Sequence, residues 1–337
     1  IYHTMGTLYP LTNIWKGRYG EITWSRAGFD PDQVYAELNE YELNLRFSRF
    51  SVEPVNFYHK KYWDKAIPGR LEEKVLANVT EERATYPKFF SYFTDLEIDP
   101  LFNNIDFSGG IEMNGIKMIG KGDSLTNAQL SVYKDKEEFI SIESKIFIIR
   151  PDRISSSRAA VTIRFEGDSI YHPGIQMNYV DDKRELSFLR TGEGLSKTPF
   201  FNSFHNVHMY CEAIYWQMGE PYLNLEMIRG ISGLGRATFE SENYFSEGRY
   251  HKLQGIDKVN PLQLIKNYME KYNLSEVTVD GLSHYMRIPP EQVISMLVNL
   301  SNRGFLIYHP DERRATIHEG PFDSISASNK KITNNFI

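Results

Sequence analysis

Apolar and polar positions alternate with a period of two through the middle of the chain. Ala128, Leu130 and Val132 share one side of a predicted strand, and Ile140, Ile142, Ile146 and Ile148 repeat the pattern. Ala159, Val161, Ile163 and Phe165 form another apolar face, with Thr162, Arg164 and Glu166 opposite. Successive side chains of a strand point to opposite faces, so this spacing predicts half-buried strands. Ile175, Met177 and Tyr179 then meet Leu186 and Phe188 across Asp181-Asp182-Lys183, which reads as a hairpin or a solenoid corner. Leu223, Leu225 and Met227 continue the theme. No long amphipathic helix interrupts 107–248, which argues against a βαβ sheet and for a β-sandwich or a β-solenoid.

A short internal repeat bears on that choice. Ile111-Glu112-Met113-Asn114-Gly115 is followed by Ile116-Lys117-Met118-Ile119-Gly120, and glycines at such positions permit tight corners. The same stretch approaches a phosphate-binding loop, Gly115, four residues, Gly120, Lys121. Gly122 stands where a magnesium-binding Ser or Thr is needed, and no helix follows. Gly230, Gly233 and Gly235 also lack the strand-then-helix context of a dinucleotide site. In the N-terminal hundred residues, Asp30-Pro31-Asp32-Gln33 has the composition of a helix cap. Tyr41, Leu43, Leu45 and Phe47 alternate like a strand, Ile67-Pro68-Gly69-Arg70 reads as a turn, and Thr85-Tyr86-Pro87 favours extended chain.

The pattern changes to helical spacing after Pro261. Leu262, Leu264, Ile265 and Tyr268 make one face of a first helix, with Pro261 at the position where a missing N–H costs nothing. Glu276–Val279 is β-prone, Thr278 can cap a second helix through Met286, and Pro290 opens a third running to Arg303. Gly304 is a natural stop, and Phe305–Tyr308 with Ala315–His318 would form a hairpin around a polar loop. This is the element order of a winged helix. Its charge is wrong for reading DNA: over 261–318 six Lys and Arg stand against six Asp and Glu, and the third helix opens with Glu291. Nucleic-acid affinity comes largely from phosphate neutralisation, so a packing or protein-interaction module is expected. Arg313 and Arg314 are the only local pair able to reach a phosphate backbone.

Composition narrows the classes further. The 337 residues carry a net charge of −6 without blocks of like charge, which disfavours a polyanionic partner. Aromatics reach 14%, a count that suits pleated β-structure first and glycan or peptide binding second. Cys211 stands alone, so no internal disulfide forms; this fits a cytosolic chain and equally an exported protein held by its core. No stretch is long and apolar enough for a membrane-spanning helix, and no cofactor is expected. The chain begins at Ile1 and ends in polar, β-compatible sequence, so it reads as an excerpt of something longer.

Candidate chemistry is sparse. His205, His208 and Glu212 would lie along one helical face and could ligate zinc, but Val207, Met209, Cys211 and Ala213 alternate as a strand does. Paired acids could hydrolyse a glycosidic bond, with Asp168 and Asp181 the candidates within the β-body. Trp216 and His172 are candidate ligand contacts, since an indole stacks on a sugar face, although burial competes with that role.

Several motifs act in combination. Asp106-Phe107-Ser108-Gly109-Gly110, Asp168 through Gly174, Pro199-Phe200 through His205, Trp15 through Gly20, Val34-Tyr35-Ala36, Asn260-Pro261-Leu262 and Phe322-Asp323-Ser324-Ile325 together resemble a family of very large uncharacterised proteins of Bacteroidetes-type bacteria. The resemblance spans most of the chain. It implies a middle fragment of an exported or envelope-associated protein, and it carries no activity over to any residue. The expected organisation is an N-terminal β-rich segment 1–98, a β-rich body 99–256, a winged-helix-like domain 257–319, and the start of a further β segment at 320–337. The expected role is a structural or protein-interaction segment of a cell-envelope or secreted protein, its partner another protein or the rest of the same polypeptide. A carbohydrate-active solenoid or glycan-binding module is the alternative, and nucleic-acid binding the second.

Overall fold

The computed structural model describes residues 1–74, 79–228, 237–241 and 260–317. Gly230, Gly233, Gly235, His318 and the segment 320–337 with its Phe322–Ile325 motif lie outside the described residues. The fold is mainly β and antiparallel, with three α-helices among the described residues. The chain divides into two compact units. Unit 1 comprises Ile1–Ser157, Met177–Leu186 and Gln217–Gly219; unit 2 comprises Arg158–Gln176, Ser187–Trp216 and the described residues from Glu220 onward.

In unit 1 the strands pair antiparallel, many of them out of sequence order, and Ile105–Asn114 is the hub. Its first half pairs with Ala128–Lys134, and its second half with both Lys117–Lys121 and Lys88–Ser91. Strand Leu96–Phe102 runs through the 98/99 position and pairs with the same hub. The core is aromatic: Phe57 stacks on Phe89 at 4.3 Å, and Trp24 meets Phe57 edge-on at 5.0 Å. Ala128, Leu130, Val132, Ile140 and Ile142 are buried as their alternation predicts. Ile175, Met177, Tyr179, Leu186 and Phe188 are buried as well.

The alternation breaks where the chain bends. Ile146 and Ile148 are 52% and 40% exposed, while Phe147 and Ile149 are buried. A bend at Lys145 shifts the phase by one residue, so the larger Phe147 goes inward. Strand Tyr41–Asn44 likewise ends before Leu45 and Phe47, leaving both exposed. Asn224–Glu226 is a strand exposed on both faces, so Leu225 does not continue the core. Ile67–Arg70 is not a turn but the start of strand Ile67–Lys74, with Pro68 opposite Asn56. Asp30–Gln33 does not open a helix: Asp30 Oδ1 accepts from Asp32 N at 2.9 Å, forming a turn into strand Val34–Leu38.

The glycine-marked repeat folds as a hairpin. Asn114 pairs with Lys117 across Gly115-Ile116, and Gly115 takes a φ of 56°. A two-residue link with glycine first closes an antiparallel pair, so both copies of the repeat lie side by side. The same hairpin uses up the residues that resembled a phosphate-binding loop.

Unit 2 carries the helices, here α1 (Pro261–Tyr272), α2 (Val279–Met286) and α3 (Pro290–Asn302). Asn260 Oδ1 accepts from Leu262 N at 2.9 Å, and Thr278 Oγ1 from Gly281 N at 3.1 Å, which satisfies otherwise orphan amides. A three-stranded sheet accompanies them: Glu276–Thr278, then Arg314–Ile317 in the middle, then Leu306–His309. Leu262, Ile265, Leu282, Val293, Leu297 and Leu306 form one buried cluster, joined by Leu195 from the turn Gly194–Lys197. Thr198 extends that contact, donating to Asn302 Oδ1 at 3.1 Å. In the same unit Ala159, Val161 and Ile163 are buried.

Candidate functional site

A pocket of about 480 Å³ opens within unit 2, between the hairpin that follows α3 and three strands of the β-body. Strand Phe200–Asn202 lies between two partners, with Tyr171 opposite Phe201 on one side and His208 opposite Phe201 on the other. That register fixes which side chains surround the opening. Asn206 takes a φ of 48° in the connecting turn, a conformation asparagine tolerates better than most residues. Ser203 there accepts from Ser169 N at 2.9 Å and donates to Asp168 Oδ1 at 2.8 Å.

His309 joins the two walls. Its Nδ1 lies 3.2 Å from the Tyr171 hydroxyl, and its Nε2 lies 3.2 Å from Thr316 Oγ1. Burial, then the neighbouring Arg314 guanidinium, pushes this imidazole below its ordinary pKa. A neutral ring donates through one nitrogen and accepts through the other, and hydroxyls can complete either arrangement. His208 lies buried, edge-on to Phe201 at 5.0 Å. Gly304 makes that packing feasible: a Cβ there would sit 2.6 Å from His208 Nδ1, and its φ is 76°.

The pocket surface is mostly apolar with polar groups set into it, and among the described residues it carries no acid. Its lining holds hydroxyls, amides, two imidazoles and Arg314, with Tyr171 and Phe201 as aromatic surfaces and no Asp or Glu. Arg314 is already paired, with Glu276 at 2.6 Å and with Glu312. Among the described residues no carboxylate hydrogen-bonds His309, so they supply no third member of a nucleophile–base–acid arrangement. The arrangement suits recognition by hydrogen bonds.

Each residue singled out from the sequence has a definite place. His172 is fully buried; its Nδ1 accepts from Gly174 N at 3.1 Å, and its Nε2 donates to Thr198 O at 3.0 Å. Both ring nitrogens are thus spent on backbone, and burial holds its pKa down at about 3. Trp216 is buried and donates to Glu220 O at 3.1 Å, so its ring offers no open face. Asp168 is engaged by Ser203. Asp181 belongs to unit 1, in the turn after Val180, and accepts from the Tyr179 hydroxyl at 2.7 Å.

His205 is exposed in a turn against Phe204, His208 lies on strand Val207–Tyr210, and Glu212 is buried beyond it. Among the described residues no group of three His, Cys, Asp or Glu side chains could hold a metal ion. No protein-family model, curated protein or solved structure matches this chain. The site therefore rests on its own geometry. Tyr171, Asn202, His309 and Thr316 had no local sequence signal, because 138 residues separate Tyr171 from the histidine it contacts.

Proposed function

We propose that this chain is a non-catalytic interaction segment of a larger envelope or secreted protein, with a winged helix used for bracing. The order helix, strand, two helices and hairpin supports the winged-helix reading. Antiparallel hairpin registers favour a sandwich-type body over a solenoid, whose coils stack strands in parallel. The envelope placement rests on the motif resemblance alone, and fractionation of cells expressing the full open reading frame tests it.

One observation carries the bracing role. The arginines at the hairpin tip are already committed: Arg313 to Asp280 at 3.0 Å, and Arg314 to Glu276 and Glu312. Helix α3, which would enter a groove, exposes Glu291, Gln292, Ser295 and Asn299 and no cation. Meanwhile the helical core accepts Leu195, and Arg158 reaches Asp311 at 3.3 Å. In a fluorescence titration at low salt, duplex DNA is expected to bind no more tightly than about 100 µM, with a shallow salt slope. Tight, steeply salt-dependent binding would sink this reading.

The unit 2 pocket favours a second reading, glycan binding without hydrolysis. Hydroxyl and amide groups beside Tyr171 and Phe201, in a lining whose Arg314 is already paired, match the hydroxyls and apolar faces of a sugar. Screened against a saccharide library, the chain is expected to retain a subset of neutral glycans. Asn202→Ala should weaken them about ten-fold, the loss of one or two hydrogen bonds. Retention that is indifferent to Asn202→Ala and Tyr171→Ala would remove the pocket from consideration.

A further inference from the structure

We propose that a separate pocket in unit 1, floored by Met113, Met118 and Ile149, binds a small carboxylic acid with an aromatic or branched apolar body. The three floor residues are cross-strand neighbours: Met113 pairs with Met118, and Met118 with Ile149. They form one apolar row across three strands, and methionines adapt their shape to a ligand better than branched side chains do. The wall is aromatic. His59 stacks on Tyr62 at 4.4 Å and meets Phe29 edge-on at 5.9 Å.

His59 behaves as part of that apolar wall. It is 5% exposed, and its Nδ1 has no hydrogen-bond partner among the described residues. Burial lowers its pKa to about 4, so the ring is neutral at physiological pH. The position is fixed by backbone pairing, Val34 opposite His59, and by Tyr62 N and Trp63 N donating to His59 O at 2.9 and 3.0 Å.

Charge selects the ligand's other end. Lys61 and Arg150 line the same pocket, and neither makes an ion pair among the described residues. Among the described residues no Asp or Glu lines it, and the nearby Asp152 is held by Arg153 at 2.6 Å. Lys61 lies over the Tyr62 ring at 5.0 Å rather than in an ion pair. Two cations at an otherwise apolar opening suit one anionic group, and Arg150 can grip a carboxylate with two parallel bonds. The pocket volume, about 260 Å³, falls just under the range of roughly 300–1,000 Å³ typical of drug-sized ligands. A compact acid fits and a long acyl chain does not.

Phenylacetate and 3-methylbutanoate are suitable probes, titrated into the whole chain by calorimetry, with phenylacetamide as the uncharged control. At least one acid is expected to bind one-to-one at about 0.1–1 mM, as its few atoms allow. The amide should bind about ten-fold more weakly, and so should the acid to the Lys61→Ala/Arg150→Ala variant. Lys61 is exposed and Arg150 partly exposed, and neither belongs to the buried core, so this variant is expected to keep its fold, which circular dichroism checks. Ile116→Trp, placed at the hairpin turn beside the floor, should fill the opening and abolish binding. Failure of both acids to saturate, equal affinity for acid and amide, or binding that survives Ile116→Trp would each overturn the proposal.

Discussion

Phe57→Ala is expected to destabilise unit 1 by about 3–5 kcal/mol, the usual cost of deleting a fully buried aromatic side chain. Phe57 is fully buried, stacked on Phe89 at 4.3 Å and edge-on to Trp24 at 5.0 Å. Its removal leaves a cavity between Phe89, held on a strand, and Trp24, held by its backbone bond to Val34, so neighbours cannot readily collapse into it. Urea unfolding followed by tryptophan fluorescence measures the effect. Phe47→Ala supplies the contrast, because Phe47 is 67% exposed and should change stability by less than about 0.5 kcal/mol. A shift under about 1 kcal/mol for Phe57→Ala would mean that the aromatic stack is not the core.

Acid should weaken the fold well before the carboxylates titrate. His172 and His59 have folded-state pKa values of about 3 and about 4, against 6.5 when unfolded. The folded chain therefore refuses protons that the unfolded chain accepts as the pH drops. Stability from this source is complete above about pH 6.5 and is lost progressively down toward pH 3–4. Each histidine contributes a slope of ~1.4 kcal/mol per pH unit in that window, which totals several kcal/mol. Asp123, Asp152 and Glu312 have lowered values and begin to matter only below their ordinary range, while Asp106, raised by burial, acts in the opposite sense to the histidines as the pH falls.

Denaturation at several pH values across that interval checks the sign and the slope. His172→Gln should be less stable at pH 7.5, because Thr198 O and Gly174 N lose a well-placed partner. The same variant should show a shallower fall with acid than the parent chain. Wild-type stability that stays flat from pH 6.5 to 4.5 would contradict the buried environment of both rings.

Helix termini were the most legible part of the sequence, since Pro261, Thr278 and Gly304 act through their own neighbours, although the Asn260 cap was not read from it. Alternation located the strands at 128–132, 159–163 and 175–179, and failed at Ile146, Ile148 and Leu225. Those failures share a cause: a single bend residue flips the phase, and periodicity carries no record of where the bend falls. Candidate chemistry was harder to see. Histidines were weighed by spacing along the chain, yet His172 is consumed by backbone, while His309 meets Tyr171 only through folding.

By itself, the amino-acid order determined that this protein is mainly β, that a capped three-helix segment follows residue 260, and that this segment has no excess positive charge. Those properties depend on side-chain size, local hydrogen bonding and formal charge, which act over a few residues. Tertiary structure decided that the glycine-marked repeat is a hairpin and that Arg313 and Arg314 are neutralised locally. It also assembled both pockets, bringing Met113, Met118 and Ile149 under His59, and Tyr171 against His309. Pockets arise from strand register and from contacts between distant segments, and neither is encoded in any short stretch of chain.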